Sequence, residues 1–542
     1  MQVMTISSNK FIGAATQQPL AEVGNSGFVC FSWEEQRMRW VCFSFESIGM
    51  GFLYSPPLVF TKRLKNYLAF PVLLIAMAPL WSQDRTLSIN QLEEDIKICR
   101  GVLESMHGGL YRYRTKVEID QSFTALESAT SQPMTDLTFF RLLSPVIAKI
   151  QCGHTGIMAP KAVRDRILRE GKLLPMELYF HREKAYFVKS FTEESIPINP
   201  GEEVLAVNGI SMDSLINYSL TVNSVGDGWI KTGKLNLLNR VFSRYFALYF
   251  SQPDEYTITY TDGSKEVETL TVKALVGDDM VNLSPNEPEM DRHIDLSFYS
   301  EATARLRVKS FDNWKEGKKK VKFLKYLQNV FQRIDSSNVS NLIIDVRDNG
   351  GGDDEMGLAL FSYLHHEPLI EFDSIAFKTK KLHYAKHSDF NRLKFWVAKA
   401  LNKYKRINDS TYHIVNATTK PHPPGEPQFS GKLVVLINGR SFSTTADFAA
   451  LTKSYDKAIL VGEETSGGYY GNTSGATFTY TLPNSGIKII VPFMGYWTNV
   501  RGDVAPGRGT IPEYQVVPSV HDILTGRDVQ MDFALELLAE EK

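Results

Sequence analysis

Cysteine is scarce in this sequence of 542 residues. The four cysteines are Cys30, Cys42, Cys99 and Cys152, and none belongs to a Cys-x-x-Cys pair. This number is far too small for a disulfide scaffold. Metal-ligand spacing is missing as well, since there is no His-Glu-x-x-His motif and the 11 histidines form no ligand cluster in the sequence. The sequence therefore predicts no metal and no organic cofactor.

An excess of one charge sign is also missing. The chain has 60 Lys and Arg against 61 Asp and Glu, for a formal net charge of -1, which gives no global case for binding nucleic acid or an anionic membrane. One stretch, residues 378–406, is rich in Lys and Arg with aromatic residues between them. A nucleic-acid surface would explain it. We favour a solvated insertion or lid, because the chain as a whole is not basic.

The N-terminal part contains a short apolar run, Tyr67 to Trp81, of about 15 residues, whereas a membrane-spanning helix needs roughly 20. Basic residues Lys62, Arg63 and Lys65 precede the run and polar residues follow it, which is typical of a secretory signal. Residues 62–83 are predicted to be a signal peptide or an uncleaved membrane anchor. Residues 1–61 are expected not to belong to the mature protein, whose predicted location is periplasmic or secreted.

Three regions follow this segment. Residues 84–165 are predicted to be an N-terminal helical domain, because apolar residues recur at steps of three and four from Ile89 to Leu103. Residues 166–285 alternate with a period of two and contain hairpin signals such as Asn208-Gly209. In residues 286–542 apolar strands alternate with helices, which predicts an α/β domain on a mostly parallel sheet. Residues 365–430 are expected to be an insertion in that domain.

The first motif with chemical potential is Asp-Val-Arg-Asp-Asn-Gly-Gly-Gly at 345–352, after a predicted buried strand. Consecutive glycines let backbone N–H groups point at a small site, where they can bind a phosphate or a tetrahedral oxyanion. A P-loop would continue with Lys and Ser or Thr. Here Asp353, Asp354 and Glu355 follow, and their charges disfavour phosphate. The alternative is a glycine turn that allows tight packing.

The second motif is Asn-Gly-Arg-Ser-Phe-Ser-Thr-Thr at 438–445, between another predicted strand and a helix. A serine at such a junction, here Ser441 or Ser443, can expose its hydroxyl beside the amides of the helix start. A simple Ser/Thr helix cap explains the cluster equally well. The glycine run, together with this cluster, favours catalysis.

The two motifs together resemble the carboxyl-terminal-processing, or tail-specific, serine peptidases and their tricorn-core relatives. The family's Gly-Glu-x-Thr-x-Gly turn has a counterpart at 462–467, and its late Gly-x-x-Pro-Asp motif at 509–513, with Glu513 in place of Asp. The ordered resemblance covers about residues 300–530. It implies a ClpP/crotonase-like catalytic core at 286–542, and residues 166–285 resemble the family's PDZ-type module.

The resemblance implies roles for the residues of both motifs. Ser443, the second serine of the Ser-x-Ser pair, corresponds to the nucleophile. Backbone amides of Gly351 or Gly352 and of Thr444 correspond to the oxyanion hole. Tail-specific peptidases place a lysine base after the Gly-Glu-x-Thr-x-Gly turn, but this chain has Gly468 there and no lysine nearby.

Tricorn-like relatives instead take a histidine base from an upstream domain, and His154 in Gly-His-Thr-Gly matches that element. An imidazole with an ordinary pKa of about 6.5 suits this task, although a histidine in a turn can also be structural. The third catalytic residue stays open, because Pro506–Arg508 occupy the place of the tricorn-like acid. We take Glu463 as the predicted partner of His154, with Glu464 and Thr155 as alternatives.

These features predict a serine-type peptidase that acts on peptide or protein substrates without nucleic acid, and that meets a membrane only through an N-terminal anchor. The rival hypothesis is a catalytically inactive relative that binds peptides as a scaffold in the cell envelope. A polysaccharide or lipid hydrolase is disfavoured because the chain lacks a Gly-x-Ser-x-Gly elbow. The sequence does not determine the oligomeric state.

Overall fold

The computed structural model describes residues 85–192, 194–264, 266–283, 292–316, 319–401, 403–408 and 411–539. The segments 1–61 and 62–83, with the predicted signal peptide or anchor, lie outside the described residues. The described chain has a mixed α/β fold with several sheets. Within these ranges, no helix has both the length and the hydropathy needed to cross a bilayer.

Residues 85–165 are mainly helical. Side chains of Ser88, Thr115 and Thr135 accept hydrogen bonds from backbone N–H groups at the starts of three helices, which fixes where these helices begin. Cys99 and Cys152 are buried and unpaired. The elements are β1 (Thr86–Leu87), α1 (Ile89–Met106), α2 (Lys116–Ala129), β2 (Met134–Thr135), α3 (Asp136–Ala148), β3 (Gly156–Met158) and α4 (Lys161–Asp165).

Residues 172–283 contain an antiparallel sheet with strand order β10-β9-β7-β6-β5. The Asn208-Gly209 turn has positive φ at both residues, 50° and 75°, as a tight two-residue hairpin requires. The period-two alternation of the sequence in this region did not predict its two long helices, Met212–Val222 and Thr232–Tyr249. The elements are β4 (Lys172–Leu173), β5 (Met176–His181), β6 (Lys184–Ser190), β7 (Glu203–Val207), β8 (Ile210–Ser211), α5 (Met212–Val222), α6 (Thr232–Tyr249), β9 (Glu255–Thr261), β10 (Glu268–Lys273), β11 (Leu275–Val276) and α7 (Gly277–Leu283).

The last region alternates strands and helices. Its elements are β12 (Ile294–Phe298), β13 (Thr303–Val308), β14 (Trp314–Glu316), β15 (Lys319–Val321), α8 (Phe323–Ser336), β16 (Asn341–Asp345), α9 (Asp354–Ser362), β17 (Phe372–Phe377), α10 (Arg392–Leu401), β18 (Tyr404–Asn408), β19 (Thr411–Ile414), β20 (Lys432–Ile437), α11 (Thr444–Ser454), β21 (Ile459–Gly462), β22 (Thr473–Thr481), β23 (Lys488–Thr498), β24 (Tyr514–Gln515), α12 (Val520–Thr525) and α13 (Val529–Ala539).

Two sheets organise this region. The first has the order β12-β13-β16-β20-β21-β24, and all neighbours from β13 to β24 are parallel while β12 is antiparallel. The second is antiparallel, in the order β18-β19-β17-β23-β22. Residues 365–430, expected as an insertion, contribute three strands to this second sheet. They are therefore part of its framework rather than a separate lid.

The topology brings the two motifs and the histidine together. β16 and β20 are parallel neighbours, with Asp345 opposite Leu436, so the glycine run and the Ser443 segment leave the same edge of the first sheet. β3, which follows the His154 loop, pairs with β23 of the second sheet. The N-terminal helices share one hydrophobic core with β22 and β23, and this packing fixes the histidine loop against the later part of the chain.

Candidate active site

Ser443 occupies the junction between β20 and α11 in a strained backbone conformation. Its φ is 55° and its ψ is -131°, a region that residues with a Cβ seldom adopt and that concentrates at functional sites. Ser443 stands at the N-cap position of α11, yet its side chain makes no capping hydrogen bond. Its hydroxyl lies instead 3.1 Å from Nε2 of His154, a residue 289 positions earlier.

Ser441, two residues before, has a different environment. Its side chain is fully buried. The hydroxyl donates to the Val346 carbonyl at 2.9 Å and accepts from the Asn438 amide at 3.1 Å. The bond to Val346 holds the loop between β20 and α11 against the end of β16, and the bond from Asn438 fixes the loop itself. Ser441 is thus a structural residue, and Ser443 is the serine whose hydroxyl faces the imidazole.

The His154 ring stacks on Phe442, with ring centroids 4.4 Å apart and planes inclined by 30°. Burial disfavours the imidazolium and lowers the pKa of His154 from its ordinary value of 6.5 to about 4. The ring is therefore neutral near pH 7, and Nε2 can accept the hydroxyl proton. Within the described part of the chain, Nδ1 is buried and has no hydrogen-bond partner. The site thus presents a Ser–His pair without an orienting acid.

The loop that carries His154 is held by its neighbours. The buried Nδ1 of His107 accepts from the Gly109 amide at 3.0 Å, so its Nε2 carries the proton and donates to Thr155 Oγ1 at 2.7 Å. Burial lowers the pKa of His107 to about 3, which keeps this ring neutral. Thr155, one of the alternatives for a third catalytic residue, is therefore bound to His107, and its hydroxyl helps to anchor the loop.

Asp227 is a site residue that the sequence motifs did not indicate. Its fully buried carboxylate accepts from the Gly153 amide at 2.9 Å and from the Gly468 amide at 3.2 Å. It thereby ties the residue before His154 to the turn that follows β21. Burial raises the pKa of Asp227 to about 6. Asp227 lies between Gly226 and Gly228, both with positive φ, and this Gly-Asp-Gly pattern is the sequence signal that could have identified it.

Gly468, where tail-specific peptidases carry the lysine, is closely packed. A Cβ there would lie 2.8 Å from the Gly471 carbonyl oxygen and 2.9 Å from the Tyr113 hydroxyl. Both distances are shorter than van der Waals contact, so a lysine at this position would require the surroundings to move. The packing agrees with a site built around a histidine from upstream.

The glycine run lies directly against the serine. Gly351 has a φ of 108°, and a Cβ on it would lie 2.8 Å from the Ser443 Cβ. Its amide donates to Asn349 Oδ1 at 2.9 Å, so it is already engaged and does not serve as the expected oxyanion donor in this geometry. Thr444 and Gly352 are neighbours, since the Thr444 hydroxyl lies 3.0 Å from the Gly352 carbonyl oxygen.

The structure does not bring the predicted acid Glu463 to His154. The buried Glu463 carboxyl accepts hydrogen bonds from the Asn236 side chain and the Gly439 amide, and burial raises its pKa. Glu464 instead forms a bidentate pair with Arg508, with both contacts at 2.8 Å. Both glutamates therefore serve the packing of the turn after β21, and neither contacts the free Nδ1.

A second group of carboxyls lies behind the serine. Asp354 Oδ1 is 2.8 Å from the Thr444 hydroxyl, and burial raises the Asp354 pKa to about 7. Burial and mutual repulsion also raise the pKa values of Glu371 and Asp447 well above the ordinary range. The Thr444 hydroxyl lies within donating distance of both Asp354 Oδ1 and the Gly352 carbonyl oxygen. It thereby links this carboxyl group to the glycine run.

Comparison with known proteins identifies the part of the chain that carries Ser443. Residues 302–516 match the model of peptidase family S41. The chain contains an S41 peptidase domain. This stretch includes the glycine run, Ser443 and the turn after β21, whereas His154 and Asp227 lie before it. The histidine that faces Ser443 therefore comes from outside the matched S41 segment.

Two curated relatives match shorter segments. The tricorn protease of Thermoplasma acidophilum is 27% identical over 124 residues, 23% of this chain and 11% of that protein. An uncharacterized protein of Chlamydia muridarum is 30% identical over 105 residues, 19% of this chain and 17% of that protein. The chain therefore covers well under two thirds of the length of either relative.

Solved structures resemble this chain over a larger part. Mature CPAF complexed with lactacystin has a TM-score of 0.58 and 17% identity, over 83% of this chain and 98% of that chain. A second structure of mature CPAF has a TM-score of 0.55 and 16% identity, over 83% of this chain and 96% of that chain. At such low identity the likeness concerns the fold alone. Because it covers 83% of this chain, the likeness extends beyond the S41 domain to the helical N-terminal region.

Proposed function

We propose that this chain is a serine-type peptidase in which Ser443 forms an acyl-enzyme and His154 is the general base. One observation carries the proposal, the 3.1 Å contact between the Ser443 hydroxyl and Nε2 of His154. The distance lies within the reach needed for proton transfer. The strained backbone of Ser443, and the absence of a capping hydrogen bond from its side chain at the start of α11, support the same role.

In the proposed reaction, Ser443 Oγ attacks the peptide carbonyl carbon while Nε2 of His154 takes the hydroxyl proton. The carbonyl oxygen becomes an oxyanion, for which we propose the amides of Gly352 and Thr444 as donors. His154 then protonates the leaving amine as the C–N bond breaks. Water, deprotonated by His154, releases the acyl group and restores the serine. No step requires a metal or an organic cofactor.

The proposal specifies the substrate only as a class. Peptides or proteins are the substrates we propose, on the basis of the S41 domain. The ClpP/crotonase-like description of the core and the PDZ-like description of residues 166–285 remain proposals. In the latter region, an edge strand such as β5 or β10 could bind a peptide by strand addition. The periplasmic or secreted location likewise stays a proposal, since residues 62–83 lie outside the described part.

A fluorophosphonate labelling experiment separates an active enzyme from an inactive scaffold. The full chain should label at Ser443, as detected by peptide mass spectrometry. Ser443→Ala should abolish labelling, and His154→Ala should slow it by about 10²-fold or more. Surface variants Ser337→Ala and His366→Ala, at exposed positions, are matched controls and should label like the wild type.

The rival hypothesis makes the opposite prediction. If the wild-type chain is well folded by circular dichroism and still does not label, the peptidase proposal fails and the scaffold is favoured. Labelling that persists unchanged in His154→Ala would retain the nucleophile but reject His154 as the base.

A further inference from the structure

One stretch of the second sheet and its covering helix has a charge balance unlike the rest of the chain. Residues 378–407 contain ten Lys and Arg and a single acidic residue, Asp389, in a protein whose formal net charge is -1. Asp389 Oδ1 accepts from the Thr479 amide at 3.0 Å, which ties this acid to the sheet. The stretch is therefore a local concentration of positive charge, which the global balance conceals.

The helix within this stretch, α10, exposes its apolar side chains. Leu393 is 68% exposed, Trp396 58% and Val397 41%. These three residues are spaced i, i+3 and i+4, so they share one face of the helix. Phe395 points the other way and contacts the Phe478 ring, with centroids 5.9 Å apart. Helix α10 is thus fixed to the sheet through one aromatic residue and presents an apolar face outward.

The next strand, β18, is anchored on the same side of the second sheet. Tyr404 packs on the Phe377 ring at 5.6 Å, and Phe377 packs on Phe493 at 5.4 Å, a ring that Phe395 of α10 also contacts. Helix and strand are therefore anchored on one aromatic cluster.

Exposed basic residues flank the apolar ones along the chain. Arg392 stands at the start of α10 and Lys403 lies between α10 and β18; both are exposed. Lys380 Nζ lies 5.6 Å from the Tyr404 ring centroid, on the same aromatic cluster. We define the α10 patch as Arg392, Leu393, Trp396, Val397 and Lys403.

We propose that the α10 patch binds the surface of an anionic lipid bilayer. A helix that combines Leu and Trp on one face with surrounding Lys and Arg has the composition of an interfacial membrane helix. The apolar side chains would enter the headgroup boundary, while the basic side chains contact lipid phosphates and other anionic groups. Bound nucleic acid would use the cations and stack on aromatic rings, but it offers no apolar partner for Leu393 and Val397.

The position of the patch gives the binding a consequence. β18 belongs to the second sheet, which also contains β23, and β23 pairs with β3 directly after the His154 loop. A bilayer held at the α10 patch is therefore connected to the active site through one continuous sheet. Polypeptides close to a membrane surface would then be the accessible substrates. This last consequence rests on the proposed peptidase function, whereas lipid binding itself does not.

Hydroxyl-radical footprinting tests the proposal on the full chain. Vesicles of phosphatidylcholine with about 30% phosphatidylglycerol should slow oxidation of Trp396 by about three-fold or more, because the bilayer covers this side chain. Vesicles of phosphatidylcholine alone should not. Trp229, which is 47% exposed and lies beside the active site, is the internal control and should oxidise at the same rate throughout. Because the readout is local, an N-terminal anchor in the vesicle does not mimic the result.

Charge reversal provides the matched variants. Arg392→Glu/Lys403→Glu should lose the protection of Trp396, and Lys97→Glu/Lys420→Glu, also exposed, should keep it. Fluorophosphonate labelling in both variants checks that the fold is intact. If the wild type itself does not label, circular dichroism replaces this check. Failure of the peptidase proposal therefore leaves the lipid test valid. Equal oxidation of Trp396 with and without anionic vesicles would overturn the proposal. Protection by single-stranded DNA alone, or by protein concentration alone, would likewise overturn it in favour of a nucleic acid or a second copy.

Discussion

The pKa of His154 can be measured through the pH dependence of Ser443 labelling. Only the neutral imidazole can accept the hydroxyl proton, so the labelling rate follows the neutral fraction of His154. With the pKa lowered to about 4 by burial, about 97% of the rings are neutral at pH 5.5. With the ordinary value of about 6.5, only about 9% would be neutral at that pH.

The two cases give distinct rate ratios. The structure leads us to expect nearly equal labelling rates at pH 5.5 and pH 7.5. A ring with the ordinary pKa would instead label about ten-fold more slowly at pH 5.5. The assay is the initial rate of fluorophosphonate labelling at both pH values, with Ser443→Ala as the blank and circular dichroism to verify folding.

Asp227, with a pKa raised by burial to about 6, and Asp354 both titrate within this interval, so each needs a control. For Asp227 the two labelling rates are compared in Asp227→Asn. Burial raises the Asp354 pKa to about 7, and Asp354 contacts Thr444, the residue after the nucleophile. The profile should therefore be repeated in Asp354→Asn, which keeps this side chain neutral at both pH values. A ten-fold decrease at pH 5.5 in the wild type and in both variants would refute the reasoning, because it would mean that His154 is solvated and charges readily.

Two further predictions concern the buried carboxyls. In Asp227→Asn the side chain can accept only one of the hydrogen bonds from the Gly153 and Gly468 amides. We therefore expect labelling to be about ten-fold slower and the free energy of unfolding to fall by about 1–3 kcal/mol. Labelling kinetics and urea unfolding measure the two effects, and Asp335→Asn at an exposed position is the control. Unchanged labelling would contradict a positioning role. Asp354 has a folded pKa of about 7 against an ordinary 3.8, so between these values the folded chain keeps a proton that the unfolded chain releases. The unfolding free energy of the wild type should therefore fall from pH 5 to pH 7 by about 2 kcal/mol more than that of Asp354→Asn, and identical decreases would contradict this.

The sequence predicted those parts of the fold that depend on local patterns. Strands β16 and β20 are short apolar runs followed by glycine or polar residues, and such runs indicate buried parallel strands in any context. The Ser443 segment was identified because it follows such a strand. The second sheet was not predicted, because its strands pair over long sequence distances; β3, for example, pairs with β23 more than 300 residues later. Nothing in either segment alone specifies that partner.

The same distinction explains the errors at the site. Glu463 was selected because it lies in a recognisable turn, yet the direction of its side chain depends on α6, which provides Asn236. Asp227 has no motif of its own, and its importance arises only where three distant segments meet. Side-chain direction in a loop is set by tertiary contacts, so sequence proximity to a motif was a poor guide to the third residue.

Among the residues that the structure describes, none is hydrogen-bonded to Nδ1 of His154, and this has an energetic consequence for catalysis. In the transition state His154 carries a positive charge, and a pKa lowered from 6.5 to about 4 means that this charge costs roughly 3 kcal/mol more than in water. In a serine protease triad a buried carboxylate offsets this cost, and replacing it by an amide lowers the rate by about 10⁴-fold. Asp227 does not serve this purpose here, because both of its oxygens accept from backbone amides. The remaining stabilisation must come from the oxyanion side, where one donor contributes about 10²–10³-fold. This site should therefore react with an activated phosphonate more readily than with an ordinary peptide bond, in which the leaving amine requires the proton from His154.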